Sequence, residues 1–130
     1  MAFFSTRSDY ALILLRALAH SKGFMSLRVA AKQNKLPYRY ISRLAGDLKK
    51  AGFLKSREGV LGGYALTKKP KDINLLKVIE LLDGPMTPAR CASDPGSCPR
   101  EASCPLKSHW TIMHRTLHKQ LSRYTLSSIL

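Results

Sequence analysis

Apolar positions recur at helical spacing through most of this chain, interrupted once by short alternating runs and once by a stretch with no period at all. Residues 8 to 20 are apolar on nearly every side of a helix, so several neighbours must bury them. Ser8 is the expected N-cap, and Asp9 sits in the first turn, where a carboxylate suits the helix dipole. Lys22-Gly23 ends this element. A second helix starts at a Ser26 cap and runs to about Gln33, and Asn34-Lys35-Leu36 forms a turn. Pro37 fits a first helical position. Ile41, Leu44, Ala45, Leu48 and Ala51 then mark one face of a third helix from Tyr38 to Ala51, stopped by Gly52. Gly46 is costly inside it and is expected where another backbone comes close.

Phe53 to Arg57 and Tyr64 to Thr67 read as strands around the glycine-rich turn Glu58 to Gly63, a basic hairpin or wing. Asn74 to Leu82 is again helical, and Asp83-Gly84-Pro85 stops it. Residues 84 to 105 are rich in Gly, Pro, Ser and Cys and predict an irregular loop. From Lys107 a long last helix carries Trp110, Met113, Leu117, Leu121 and Tyr124 as a near-heptad stripe, which asks for a partner helix. The expected class is mainly α with a small β wing. A winged helix-turn-helix domain (1–83) precedes a cysteine-containing sensor loop (84–106) and a dimerisation helix (107–130).

Charge changes the picture. In 130 residues, 22 Lys and Arg face 8 Asp and Glu, a net charge of +14. Such an excess implies a polyanionic partner, either nucleic acid or an anionic membrane. No apolar run is long enough to span a bilayer, and no signal peptide opens the chain, so the cytoplasm is the expected compartment. The last helix is a poor membrane binder, because dimerisation explains its stripe better. No nucleophile–base pair or phosphate-binding loop points to an enzyme.

Two helices, a tight turn and a basic hairpin form a DNA-reading constellation. The outward face of the third helix carries Tyr38, Arg39, Ser42, Arg43 and, further along, Lys49 and Lys50. Arg39, Ser42 and Arg43, near the start of that helix, are placed for base edges in the major groove, where Arg pairs bidentately with guanine. Tyr38 can touch a phosphate or a thymine methyl. Lys55, Arg57 and the backbone of Gly62 and Gly63 are placed along a phosphate strand or a narrow minor groove.

The chemistry beyond DNA lies in Cys91, Cys98 and Cys104, separated by six and five residues. An odd number of clustered cysteines in a reducing compartment favours metal ligation over disulfides. Thiolates suit both iron–sulfur clusters and zinc, and His109 completes a Cys-Cys-Cys-His set of the zinc kind. A loop that binds nothing is a further alternative. His114 and His118, four apart on one face of the last helix, have the spacing of a metal-binding pair, but a solvated dimer helix explains them better.

Tyr10-Ala11-Leu12, Tyr40-Ile41, Ala51 to Ser56, Gly59 with Gly62-Gly63-Tyr64, and the three later cysteines resemble the Rrf2 family of winged-helix regulators. The family holds iron–sulfur and nitric-oxide-sensing members of the IscR and NsrR kinds, and the likeness runs from about residue 8 to 126. It implies a homodimer paired through the last helix, a palindromic operator in double-stranded DNA, repression, and an iron–sulfur cluster (2Fe–2S or 4Fe–4S) as the sensor of NO, redox state or iron. It also implies Asp9 of the other subunit as fourth ligand, because Lys107 stands where relatives place a histidine. Glu58 occupies the usual place of a wing arginine, with Arg57 one position earlier, and the first gap between cysteines is one residue longer than the family pattern.

Overall fold

The computed structural model describes residues 4–130, so the first three residues of the expected 1–83 domain lie outside the described part. Helix α1 (Thr6–His20) is the hub. Ala11, Leu14, Leu15 and Leu18 are buried on it, against α2 (Leu27–Asn34), α3 (Tyr38–Lys50) and α4 (Leu75–Asp83). Its start differs from expectation. Ser5 is the N-cap, accepting from the Ser8 backbone N–H at 3.2 Å, while Ser8 itself is fully buried inside the first turn.

Helix α2 starts at the Ser26 cap and ends on Lys35, which takes a left-handed conformation (φ 53°) so the chain can turn sharply into α3. Pro37 precedes α3 as its N-cap residue rather than standing at the first helical position. Ile41, Leu44, Ala45 and Leu48 bury one face of α3, as their spacing predicts. Gly46 is a correction: an added Cβ there would meet no atom within 4 Å, so no close backbone approach explains it.

Strands β1 (Leu54–Arg57) and β2 (Gly63–Leu66) form an antiparallel hairpin with Leu54 opposite Leu66 and Arg57 opposite Gly63. Met25, just before α2, adds a bridge to the outer side of β2: its N–H donates to the Tyr64 oxygen at 2.9 Å, and the Tyr64 N–H donates back at 2.8 Å. The hairpin is thereby fastened to the entry of the helix-turn-helix.

The segment after α4 is not wholly irregular. It carries a one-turn helix, α5 (Arg90–Ser93), and a 3-10 turn over Glu101–Ser103, because Asp94, Ser97 and Ser103 each donate a backbone N–H into a local turn. Helix α6 (Lys107–Leu121) stops short of the expected stripe's end, leaving Tyr124 beyond it. The chain then folds back. A 3-10 turn (Leu126–Ile129) seats Leu126, fully buried, in the same core as α1 and α4, with its N–H bonded to the Ile73 oxygen at 2.9 Å. Among the described residues no helix is long and apolar enough to cross a membrane.

Candidate nucleic-acid interface and cysteine segment

Helix α3 begins without a side-chain cap, since Pro37 has none to offer, and its first residues face solvent. Tyr38, Arg39, Arg43, Lys49 and Lys50 are exposed along one side, and Ser42 is half-buried at its edge. Four of these five exposed side chains are cations, so the face is electropositive. The acidic residue of this helix, Asp47, is paired at 2.5 Å with Arg7 of α1. That pair also ties α3 to the start of α1.

The wing is joined to this face by a direct bond. Lys49 Nζ donates to Ser56 Oγ of β1 at 2.6 Å, so the far end of α3 and the first wing strand present one continuous basic surface with Lys55 and Arg57. Gly62 and Gly63 have a structural requirement independent of DNA. A Cβ on Gly62 would lie 2.1 Å from the Arg57 oxygen, and one on Gly63 (φ 137°) 2.2 Å from the Met25 oxygen. Only glycine permits that turn and that bridge.

Three contributors were not visible in the sequence pattern. Arg28 of α2 stacks over the Tyr38 ring at 4.3 Å, placing another cation beside the start of α3. Phe24 is a platform under Arg57 (4.3 Å) and Lys55 (5.8 Å). Tyr10 and Tyr40 meet edge to face at 5.5 Å, which sets the rotation of α3 against α1. Each depends on residues from different elements, which periodicity does not reveal.

The cysteine segment is anchored at its start. The Asp83 carboxylate accepts from the Ser5 N–H at 3.1 Å and, by a very short bond, from the Ser5 hydroxyl. Burial acts to raise the Asp83 pKa, but the Ser5 hydrogen bonds and the Arg7 charge outweigh it and hold the carboxyl below its ordinary value. Cys91 lies on α5, Cys98 in the turn after it, and Cys104 at the end of the 3-10 turn. All three are free, half-buried thiols. The Arg100 backbone N–H holds the Cys98 thiol below the usual thiol range, against burial and with help from the Arg90 guanidinium. Between Cys98 and Cys104, Glu101 accepts from the Gly96 N–H at 2.6 Å and pairs with Lys107 at 3.1 Å, and these bonds lower its pKa.

As donors, three thiols on one segment suit an iron–sulfur cluster or zinc. Their placement is less complete: among the described residues no three His, Cys, Asp or Glu side chains stand where they could hold a metal ion. Asp9 is exposed on the first turn of α1, and His109 is exposed on the first turn of α6.

His118 departs from the solvated helix face expected for it. Its Nε2 lies 3.0 Å from Glu80 and 3.1 Å from the Met86 backbone oxygen, and its ring packs on His114 at 4.2 Å. Of the stripe on α6, Met113 is exposed, as is Tyr124 beyond the helix, and Trp110 and Leu117 are half-buried. Leu121 packs on Leu76, Ile79 and Met86 of its own chain. No residue of α6 is buried.

Comparisons with known proteins bear on this arrangement. Residues 4–130 match the family described as "Rrf2: Iron-dependent Transcriptional regulator". The chain is 29% identical to Protein rrf2 of Nitratidesulfovibrio vulgaris over 128 residues, covering 97% of this chain and 85% of that one. Its fold is similar to that of CymR, the global cysteine regulator of B. subtilis, with a TM-score of 0.76, 30% identity, and 99% and 96% of the two chains covered. It is also similar to IscR of T. potens, with a TM-score of 0.74, 28% identity, and 96% and 83% covered.

Proposed function

The chain belongs to the Rrf2 family of transcriptional regulators, and on that premise we propose that it is a homodimeric repressor whose hold on a partly palindromic operator responds to an iron–sulfur cluster. The observation that carries the DNA half of this reading is the Lys49–Ser56 bond, which joins the cationic face of α3 to the wing. Arg39, Ser42 and Arg43 enter the major groove and read base edges, while Tyr38 and Lys49 meet phosphates. Lys55, Arg57 and the Gly62-Gly63 backbone follow the adjacent strand. Two copies place two such faces on half-sites about one helical turn apart, paired through Trp110, Met113, Leu117, Leu121 and Tyr124.

Cys91, Cys98 and Cys104 are the residues that would hold the cluster, with Asp9 of a second copy as fourth ligand and His109 as the competitor. When bound, the group supplies reactivity toward NO, oxygen or iron loss. The chain's own residues supply the coupling. The cysteine segment leaves α4 at Asp83, Asp83 grips the start of α1 through Ser5, and α1 sets α3 through the Tyr10–Tyr40 contact. A change of order in the segment therefore reaches both Asp9 and the reading face.

The likeness to CymR favours a second reading, in which the same DNA-binding dimer answers a cysteine-linked signal with no cluster. Purification without oxygen, an absorption spectrum and elemental analysis separate the cases. Visible charge-transfer bands that vanish in Cys91→Ala support the first. A colourless protein carrying zinc that is lost in His109→Ala supports the Cys-Cys-Cys-His alternative. A colourless, metal-free protein that binds its operator leaves the second reading.

A further inference from the structure

The face of the hairpin turned away from α3 forms one wall of a groove. Side chains alternate along β1, so Ser56, held by Lys49 of α3, and Lys55 point to opposite faces of the sheet. Lys55 stands opposite Ala65 in the β1–β2 register and shares its face, where the end of α1 and Phe24 enclose a volume of about 290 Å³. The floor is apolar: Leu18 and Ala65 are buried there, and Ala19 is half-buried. The rim carries two cations, Lys55 and Lys68, and no carboxylate lines it. Each ammonium is stationed over a ring, Lys55 at 5.8 Å from the centre of Phe24 and Lys68 at 5.9 Å from that of Phe53. Among the described residues neither lysine has an ion-pair partner, since the salt bridges engage Arg7, Lys107 and His118.

We propose that this groove is an effector site for a small organic carboxylate, its charge between Lys55 and Lys68 and its short apolar body on Leu18, Ala19 and Ala65. An apolar floor under a cationic rim matches a molecule that is anionic at one end and apolar at the other. An inorganic anion has nothing to place on that floor. The volume lies at the small end of ligand sites, which suits a body of a few carbons. The carbonyl end of α1 beside the groove carries about half a negative charge, and two ammonium groups outweigh it. Occupancy has a consequence for DNA, which rests on the operator-binding reading above. Lys55 paired with a carboxylate no longer offers its charge to a phosphate, so a filled groove weakens the hold of the wing.

The probe is sodium hexanoate, titrated into the full chain at constant ionic strength and followed by calorimetry and by backbone amide NMR shifts. Saturation is expected with a Kd on the order of 1 mM, with shifts centred on residues 18–24 and 65–68. Hexylammonium has the same body with the opposite charge, and inorganic phosphate has the charge without the body. Each should bind about tenfold more weakly or worse. Lys55→Gln and Lys68→Gln should each weaken hexanoate about tenfold. Lys71→Gln, an equal loss of charge outside the groove, should leave it unchanged. Fluorescence anisotropy then reads operator affinity on the duplex that the chain enriches from a randomised pool. Saturating hexanoate should lower that affinity about tenfold in wild type, and the same concentration should have little effect in Lys68→Gln. Equal losses of hexanoate binding in all three lysine variants, or shifts spread over the whole basic surface, make hexanoate a mere counterion and overturn the inference. Binding confined to the groove with unchanged operator affinity overturns the effector role. Failure of wild type to enrich any duplex, with hexanoate still saturating the groove, overturns the operator reading and the effector role while the binding site stands.

Discussion

The imidazole Nε2 of His118 lies 3.0 Å from the carboxylate of Glu80, which joins the last helix to α4. The same nitrogen is 3.1 Å from the Met86 oxygen, and Glu80 accepts from the Met86 N–H at 3.1 Å. Both partners of Nε2 are acceptors, so that nitrogen carries the proton. Helix α6, α4 and the first residues of the cysteine segment thus meet at one polar knot. A double-mutant cycle of His118→Phe and Glu80→Gln by thermal unfolding should give a coupling of about 0.5–1.5 kcal/mol. A coupling of zero would mean that this contact contributes nothing to holding α6 against α4.

Asp83 predicts an acid limb to stability. Its pKa is depressed in the folded protein, chiefly by Ser5 against the opposing effect of burial. The stabilisation is therefore complete above the unfolded-state value, about 3.9, and is lost as pH falls through the lower folded value. Asp83→Asn should melt below wild type at neutral pH, with the gap closing progressively under about pH 4. Parallel melting curves down to the acid extreme would show that the charge of Asp83 does not matter.

The two arginines of α3 should behave differently from the wing lysine. Arg39→Ala or Arg43→Ala is expected to cost about 1–3 kcal/mol of operator affinity and to relax preference at one base pair. Selection of binding sites by each variant is the measurement. An unchanged consensus with uniformly weaker binding would assign both side chains to phosphates.

Met113 and Leu117 are the cleaner probes of pairing between copies. Leu121 belongs to the apolar cluster of Leu76, Ile79 and Met86, so a charge there damages the fold as well as any interface. Met113→Glu with Leu117→Glu should give a monomer by light scattering, with unchanged helix content and no operator binding. A variant that remains dimeric would place the interface elsewhere.

Two glycines should respond in opposite directions. Gly46→Ala meets open space within a helix and should stabilise the protein by about 0.5–1 kcal/mol. Gly63→Ala forces a Cβ against the Met25 oxygen at a φ of 137° and should destabilise by about 2 kcal/mol or more, with weaker DNA binding from a displaced wing. Denaturant unfolding of both variants tests the pair.

The sequence alone determined the helix-turn-helix and its wing, because α3 and the hairpin are written in local signals. Ile41, Leu44, Ala45 and Leu48 repeat at the helical period, Ser26 caps α2, Gly52 closes α3, and the glycines of residues 59–63 leave no alternative to a turn. The cationic side of α3 was equally legible, since residues facing away from a periodic apolar stripe face water. Tertiary structure decided what those patterns could not contain. Ser5 caps α1 in place of Ser8 because Asp83, 78 positions away, comes to meet it. Arg57 is held between the Phe24 ring beneath it and the Leu61 oxygen of the wing turn. His118 left solvent for Glu80, and Leu126 entered the core of α1 from the other end of the chain. Each of these depends on pairs distant in sequence, whose meeting is set by how whole helices pack and not by the period of any one of them.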